Sequence, residues 1–276
     1  MWVPLVLLAC TEDTRTVSGQ VKDIWGAPVP EATVVVEGVM QRYFTDTDGR
    51  FAIELPAEGL VLHHQVDDDG RPEDDDDLSG RKGVRVLVGR DGFIKGRGLA
   101  PEVPEEEDFE PLQLALYPEP ETPGFYAVGP KAYVPLGSQR IQMVGTGLAH
   151  YAGIQDIPEE HLAKGIIELV FTTRLRPSEI AQMNLHLSRL EFVNKARVKG
   201  VFGPEDDLVN LWVAKDDVAF DVVGFDTRED YLIRTREPLT PGMYAFHAHD
   251  ILHEEDERVL YSLPREQQIA FPFEVK

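Results

Sequence analysis

Residues 16–66, TVSGQVKDIWGAPVPEATVVVEGVMQRYFTDTDGRFAIELPAEGLVLHHQV, contain the clearest structural pattern in the N-terminal part of the chain. Within it, apolar residues recur at every second position in three short runs. That period is typical of strands with one buried face. The stretch therefore predicts strands whose buried positions are Val17/Gly19/Val21, Ala32/Val34/Val36 and Phe51/Ile53/Leu55.

Two turn signals separate these runs. Trp25-Gly26-Ala27-Pro28 interrupts any regular element, because proline fixes φ and lacks a backbone donor. Asp46-Thr47-Asp48-Gly49 offers carboxylates that accept from backbone N–H groups, and a glycine that can adopt positive φ. We expect a tight hairpin turn at this second site.

The order of these features resembles the carboxypeptidase regulatory-like domain family. The resemblance rests on two motifs, G-x-V-x-D-x-x-G-x-P-V-x-x-A-x-V-x-V from Gly19 to Val36 and T-D-x-D-G-x-F-x-I from Thr45 to Ile53. It implies a β-sandwich of prealbumin (transthyretin) type over residues 15–120, without catalytic residues of its own. It also implies that the module accompanies functions housed elsewhere.

The remainder of the chain is also predicted to consist mostly of strands. Pro118, Pro120 and Pro123 predict an extended linker. Many short apolar runs with Pro, Gly and Asp between them then predict an immunoglobulin-like sandwich over residues 124–276. Short helices are expected at Pro158–Ala163 and Pro177–Met183, the second capped by Ser178. The predicted fold class is all-β, with two β-sandwich domains, prealbumin-like followed by immunoglobulin-like.

Residues 1–10, MWVPLVLLAC, form an apolar segment that ends at the single cysteine of the chain, Cys10. Leu7-Leu8-Ala9-Cys10 resembles a bacterial lipobox, in which the cysteine is acylated after cleavage of the signal segment. The resemblance implies a lipoprotein held to a membrane by its lipid anchor. The expected location is the cell envelope, on the outer membrane of a bacterium. One cysteine excludes an internal disulfide and cysteine-based metal centres.

The net charge of −22 argues against nucleic acid as a partner, because a phosphate backbone repels an acidic surface. The acidic residues are densest at 67–77, where eight of eleven positions are Asp or Glu. Such a block repels itself and predicts a solvated loop. The alternative is a calcium site, since calcium prefers carboxylates, although the spacing fits no EF-hand loop.

Three histidines, His247, His249 and His253, fall within seven residues near the C-terminus. If Tyr244–His249 is a strand, His247 and His249 point to the same side. The stretch also resembles the H-C-H-x-x-x-H copper motif of multicopper oxidases, but Ala248 replaces the cysteine, so a type 1 copper centre is excluded. Two interpretations remain open: a solvated hairpin, or a Zn²⁺ or Cu²⁺ site formed by the three imidazoles.

The leading functional prediction is a non-enzymatic cell-surface protein that binds or scaffolds a glycan, peptide or protein ligand. It requires no cofactor and has no catalytic residue. The alternative is an extracytoplasmic zinc- or copper-binding protein that uses the C-terminal histidines.

Overall fold

The structure, a computed structural model, describes residues 14–56, 60–64, 82–103, 108–146, 149–156, 158, 161–198, 207–224 and 230–276. Strands dominate this part of the chain, and the all-β prediction is confirmed. Contacts divide the chain into two compact units, Met1–Glu119 and Pro120–Lys276. The acidic tract at 67–77 and the N-terminal segment 1–10 lie outside the described residues.

The first unit is built from two sheets. Its strands are β1 (Thr14–Asp23), β2 (Thr33–Val36), β3 (Arg42–Phe44), β4 (Arg50–Pro56), β5 (Leu62–His64), β6 (Lys82–Gly89), β7 (Phe93–Ile94), β8 (Gly96–Pro101) and β9 (Leu112–Pro118). One sheet has the order β4-β1-β9-β7, in which β1 and β9 run parallel. The other has the order β3-β2-β6-β5, and β8 also pairs with β6. The two sheets enclose one apolar core.

The period-two alternation read from the sequence is present in β1, β2 and β4. Val17, Val34 and Ile53 are among the buried residues of this core, each at most 1% exposed. The turn between β3 and β4 has the expected chemistry. The Asp46 carboxylate accepts hydrogen bonds from the backbone N–H groups of Asp48 and Arg50, at 2.9 and 2.8 Å. The local sequence therefore specifies both the strands and the turn.

The second unit contains more strands and two short helices. The strands are β10 (Gly124–Val128), β11 (Tyr133–Pro135), β12 (Gln139–Arg140), β13 (Gln142–Thr146), β14 (Ala149–Gly153), β15 (His161–Leu162), β16 (Glu168–Thr172), β17 (Leu185–Val198), β18 (Asp207–Asp217), β19 (Phe220–Gly224), β20 (Asp230–Thr235), β21 (Gly242–Ala248) and β22 (Ile269–Val275). The helices are α1 (Pro177–Met183) and α2 (Glu257–Ser262).

Two sheets of the second unit pack face to face as a sandwich. Their orders are β11-β10-β16-β20-β19 and β12-β22-β21-β17-β18. The core between them contains Phe125 and Leu169 from the first sheet and Phe246 and Phe273 from the second. The Tyr244 hydroxyl donates a hydrogen bond to the Thr240 carbonyl at 2.8 Å, the tyrosine-corner arrangement found in immunoglobulin-like sandwiches.

A further apolar cluster covers the opposite face of the β17–β21–β22 sheet. It joins Leu190, Met243 and Ala245 of the sheet to residues of the β13–β14 hairpin and to Ile251 and Leu260. Strand β21 is consequently buried on both faces. This burial determines the environment of His247, which lies on the same face as Met243 and Ala245.

The predictions about helices were partly right. Helix α1 occupies the predicted residues, but its N-cap is Arg176, whose backbone N–H donates to the Glu179 carboxylate at 2.7 Å, rather than Ser178. The helix expected at Pro158–Ala163 is wrong, because His161 and Leu162 pair as a strand with β22. Among the described residues, no helix is long and apolar enough to span a bilayer.

Candidate functional site

Strand register brings polar side chains from distant parts of the sequence onto one face of the second unit. In the antiparallel pairs, His186 of β17 is opposite His247 of β21, and Ser188 of β17 is opposite Asp217 of β18. Residues directly opposite each other share a face of the sheet. Asp217, Ser188, His186 and His247 therefore form one polar cluster beside the apolar Leu190–Met243 pair.

His247 is a buried member of this cluster, with only 1% of its surface exposed. Its Nε2 lies 2.9 Å from Ser188 Oγ, and the Ser188 hydroxyl donates to Asp217 Oδ1 at 3.2 Å. A carboxylate only accepts, so the single hydroxyl proton is committed to Asp217. The Ser188–His247 bond then requires the proton on Nε2, which leaves a lone pair at Nδ1. That buried Nδ1 has no hydrogen-bond partner in the described part of the chain.

Burial lowers the pKa of His247 to about 4, because the charged imidazolium loses its hydration. The neighbouring His186 lowers the pKa further, as does His253 to a smaller extent. The Ala248 backbone and Asp250 act in the opposite direction and offset only part of the shift. The two rings of His186 and His247 are stacked, with centroids 5.5 Å apart. His247 is therefore a neutral, buried imidazole at neutral pH.

This shift predicts a loss of stability in acid. The folded pKa of His247, about 4, lies below the ordinary value of 6.5, so the unfolded chain binds more protons between these two pH values. With a chelator present, we expect the free energy of unfolding to fall by roughly 2–3 kcal/mol from pH 7.5 to pH 4.5 through this group alone. His247→Phe should remove that part of the pH dependence, as measured by urea unfolding.

His161→Gln is the matched control, because His161 is a partly exposed histidine of the same unit. It should keep the wild-type pH dependence. If His247→Phe and wild type lost the same free energy between the two pH values, His247 would not be neutral in the folded state.

The other two histidines predicted as metal ligands, His249 and His253, follow the end of β21 and have different partners. His249 and Asp250 both have positive φ, 54° and 56°, so the strand stops at Ala248 and the chain turns sharply. His249 consequently does not follow His247 on one side of a strand. Its Nε2 lies 3.1 Å from Gln267 Oε1. His253 returns toward the cluster: its ring centroid is 6.5 Å from that of His247, and its Nδ1 contacts Asp250 Oδ1. Metal binding by His247, His249 and His253 stays a prediction.

The geometry assembles a different set of potential ligands. One ligand atom from each of His186, Asp217 and Asp250 lies within 4.8 Å of the others. Sequence reasoning passed over His186 because it is isolated along the chain, and over Asp217 because acidic residues are abundant. The available signal was the alternation Leu185-His186-Leu187-Ser188, which places His186 and Ser188 on one face. Cys10, the predicted lipidation site, lies outside the described residues.

The first unit carries a separate feature, an open cleft of about 690 Å³ on the outer side of the β4-β1-β9 sheet. Cross-strand neighbours Arg50, Gln20 and Gln113 supply hydrogen-bonding side chains to it. Phe44 of β3 lies at the cleft with 64% of its surface exposed, and Asp46 of the turn also lines it. The cleft therefore combines amide, guanidinium and carboxylate groups with one exposed aromatic ring.

Comparison with known proteins identifies only part of the chain. A search of curated proteins found no match. Among solved structures, 3-chlorocatechol 1,2-dioxygenase from Rhodococcus opacus 1CP is similar over 40% of this chain, at 13% sequence identity and a TM-score of 0.25. The match covers 61% of that enzyme's chain, less than two thirds of its length. Residues 16–66 match the carboxypeptidase regulatory-like domain family, as the Gly19–Val36 and Thr45–Ile53 motifs predicted. The chain therefore contains a carboxypeptidase regulatory-like domain.

Proposed function

We propose that this chain is a non-enzymatic, lipid-anchored binding protein of the bacterial cell envelope, and that its first unit binds a neutral glycan. The observation that carries the proposal is the open cleft beside Phe44, whose volume of about 690 Å³ is in the range of ligand-binding clefts. A carboxypeptidase regulatory-like domain accompanying a second sandwich is compatible with such an accessory role.

The chemistry of the cleft suits a ligand rich in hydroxyl groups. Gln20, Gln113 and Arg50 present donors and acceptors along neighbouring strands, at the spacing of a sheet. Phe44 adds an apolar ring on which the face of a sugar can pack. Tyr43, its neighbour on β3, packs instead against the core, so strand alternation holds Phe44 outward. An open cleft that combines hydrogen-bonding side chains with one exposed aromatic ring favours an extended oligosaccharide over a compact apolar ligand.

The net charge of the chain and the carboxylates of the cleft restrict the class of glycan and the kind of activity that we propose. The chain's net charge of −22 disfavours acidic polysaccharides and leaves neutral ones. Hydrolysis of a glycosidic bond ordinarily requires a pair of carboxyl groups. Among the described residues that line the cleft, Asp46 supplies the only carboxylate, and one of its oxygens already accepts two backbone N–H groups. The cleft is thus better suited to binding a glycan than to cleaving it.

Substitution of Phe44 tests this proposal. We expect Phe44→Ala to weaken binding by about tenfold or more, because Phe44 is the large exposed apolar side chain of the cleft. Stability should change little, since Phe44 is 64% exposed. The measurement is binding of the full chain to an array of neutral oligosaccharides, followed by calorimetry with the best ligand.

Met40→Ala is the matched control, because Met40 is a fully exposed apolar residue of the same unit outside the cleft. It should bind like wild type. Failure of the wild-type chain to bind any oligosaccharide on the array, or equal affinities of the two variants, would contradict a glycan-binding role for this cleft.

The anchoring part of the proposal rests on the lipobox-like Leu7-Leu8-Ala9-Cys10 segment. In a bacterial host, wild-type protein should partition with membranes, and Cys10→Ser should move it to the soluble fraction or leave a longer precursor. Mass spectrometry of the membrane fraction should find a diacylglyceryl group on Cys10. An intact Met1 together with a free Cys10 thiol would refute the anchor.

A further inference from the structure

We propose that His186, Asp217 and Asp250 bind a divalent metal ion of the zinc class. This site lies in the second unit and is independent of the glycan cleft. It differs from the histidine triplet predicted from sequence, since it takes its imidazole from β17 and uses two carboxylates.

The spacing of the three side chains is near that of a coordination sphere. Their candidate ligand atoms lie within 4.8 Å of one another. In a tetrahedral zinc site with bonds of about 2.1 Å, two ligand atoms are separated by about 3.4 Å. Asp217 is exposed, and His186 and Asp250 are partly exposed, so these side chains have room to rotate toward one ion. One imidazole with two carboxylates suits Zn²⁺, whereas an all-oxygen site is typical of calcium.

The backbone fixes the positions from which these ligands extend. His186 and Asp217 belong to adjacent strands of one sheet, β17 and β18. Asp250 enters from the turn after β21, where its positive φ of 56° directs the chain back over the sheet. Its Oδ1 lies 4.0 Å from His186 Nδ1. Asn184 contacts the other ring nitrogen of His186 at 2.8 Å, which holds Nδ1 toward Asp250.

Each proposed carboxylate ligand also has a supporting partner, as metal ligands usually do. Ser188 donates to Asp217 and is itself held by the buried His247. His253 Nδ1 contacts Asp250 Oδ1, the same oxygen that lies near His186. Holding two carboxylates close together is electrostatically unfavourable unless a cation lies between them. A bound metal ion would offset that repulsion.

The buried Nδ1 of His247 is a second, independent indication of a ligand. Burying a polar atom without a partner is unfavourable, and such atoms are commonly satisfied by water or an ion. His247 stacks on His186, so the ring that carries this nitrogen belongs to the same cluster. A metal ion with its coordinated water beside His186 would bring a donor to this cluster.

Titration of the full chain with Zn²⁺ tests the site. Cys10→Ser should be present in every sample, so that the thiol does not contribute. Calorimetry should show saturable binding of about one Zn²⁺ per chain. Asp217→Asn and Asp250→Asn preserve shape and each remove one charged ligand, and each should weaken binding about 100-fold. Asparagine tolerates positive φ, so Asp250→Asn should fold normally.

Asp216→Asn is the matched control, because Asp216 precedes Asp217 on β18 and is opposite Arg189 rather than Ser188. It should bind Zn²⁺ within about twofold of wild type, and so should His249→Gln. With Cu²⁺ as the probe, electron paramagnetic resonance should show nitrogen coupling that disappears in His186→Gln. The proposal would be overturned by non-saturable binding. It would equally be overturned if His249→Gln abolished binding while the Asp217→Asn/Asp250→Asn double variant retained it.

Discussion

Gly49→Ala should destabilise the first unit by roughly 3 kcal/mol or more, which is a large part of a typical domain's stability. Gly49 lies in the β3–β4 turn with a φ of 71°. A Cβ at this position would lie 2.3 Å from the Val21 carbonyl oxygen and 3.0 Å from the Val29 nitrogen. Both neighbours are backbone atoms, so relief requires β1 to move. The Gly49 carbonyl also accepts a hydrogen bond from Val21 N–H at 2.7 Å, which any such movement would disturb.

Gly92→Ala is the matched control for this prediction. Gly92 has a similar φ of 80°, but nothing lies within 4 Å of the position that its Cβ would take. Its cost should be about 1–2 kcal/mol, from the left-handed backbone alone. Gly49→Asn should remain severe although asparagine tolerates this φ, because it also carries a Cβ. Hydrogen exchange of the β1 and β4 amides measures all three effects, and equal losses for Gly49→Ala and Gly92→Ala would contradict the close approach.

Phe246→Ala should destabilise the second unit by about 3–5 kcal/mol. Phe246 is fully buried between the two sheets of the sandwich. Its ring stacks on Phe125 from the opposite sheet at a centroid distance of 5.1 Å, and on Phe273 from the adjacent strand at 6.0 Å. Truncation removes this contact and leaves a cavity that neighbouring rings cannot fill without leaving their own partners.

Phe192→Ala provides the comparison, since Phe192 is on β17 but 50% exposed and contacts only one ring among the described aromatic pairs, that of Trp212. We expect it to change the free energy of unfolding by about 1 kcal/mol or less. Urea unfolding of the full chain, together with hydrogen exchange of the β21 and β10 amides, measures the loss of stability in Phe246→Ala and in Phe192→Ala. Similar small losses for both variants would mean that Phe246 does not join the two sheets.

Local sequence was sufficient to predict the first unit because its signals are local. Val17 and Val21 on β1 face the core, as do Phe51 and Ile53 on β4, because buried and more exposed residues alternate along each strand. This alternation is determined by a few neighbouring residues, and so is the Asp46–Gly49 turn. The helix expected at Pro158–Ala163 failed for the opposite reason. Pairing of His161 with Glu274, more than a hundred residues away, determines the conformation there. Tertiary pairing overrides a weak local preference for helix.

The cluster in the second unit was only partly predictable. His247 and His253 were identified by their spacing, but His186 and Asp217 come together with them only through the register of β17 against β21 and β18. The position of His249 depended on a single backbone angle, because positive φ at this residue ends the strand. Register and isolated left-handed residues are long-range outcomes of packing, and neither leaves a clear mark on the sequence.

The most direct test of glycan binding is nuclear magnetic resonance of the side-chain amides of glutamine in the full chain, titrated with a neutral oligosaccharide selected from the array. Gln20 and Gln113 lie on adjacent strands within the cleft, whereas Gln267 and Gln268 lie in the second unit. We predict saturable shifts of the Gln20 and Gln113 amide signals with one common dissociation constant, and no shift of the Gln267 and Gln268 signals. Unchanged Gln20 and Gln113 signals at a saturating oligosaccharide concentration would contradict the proposal that this cleft binds the ligand.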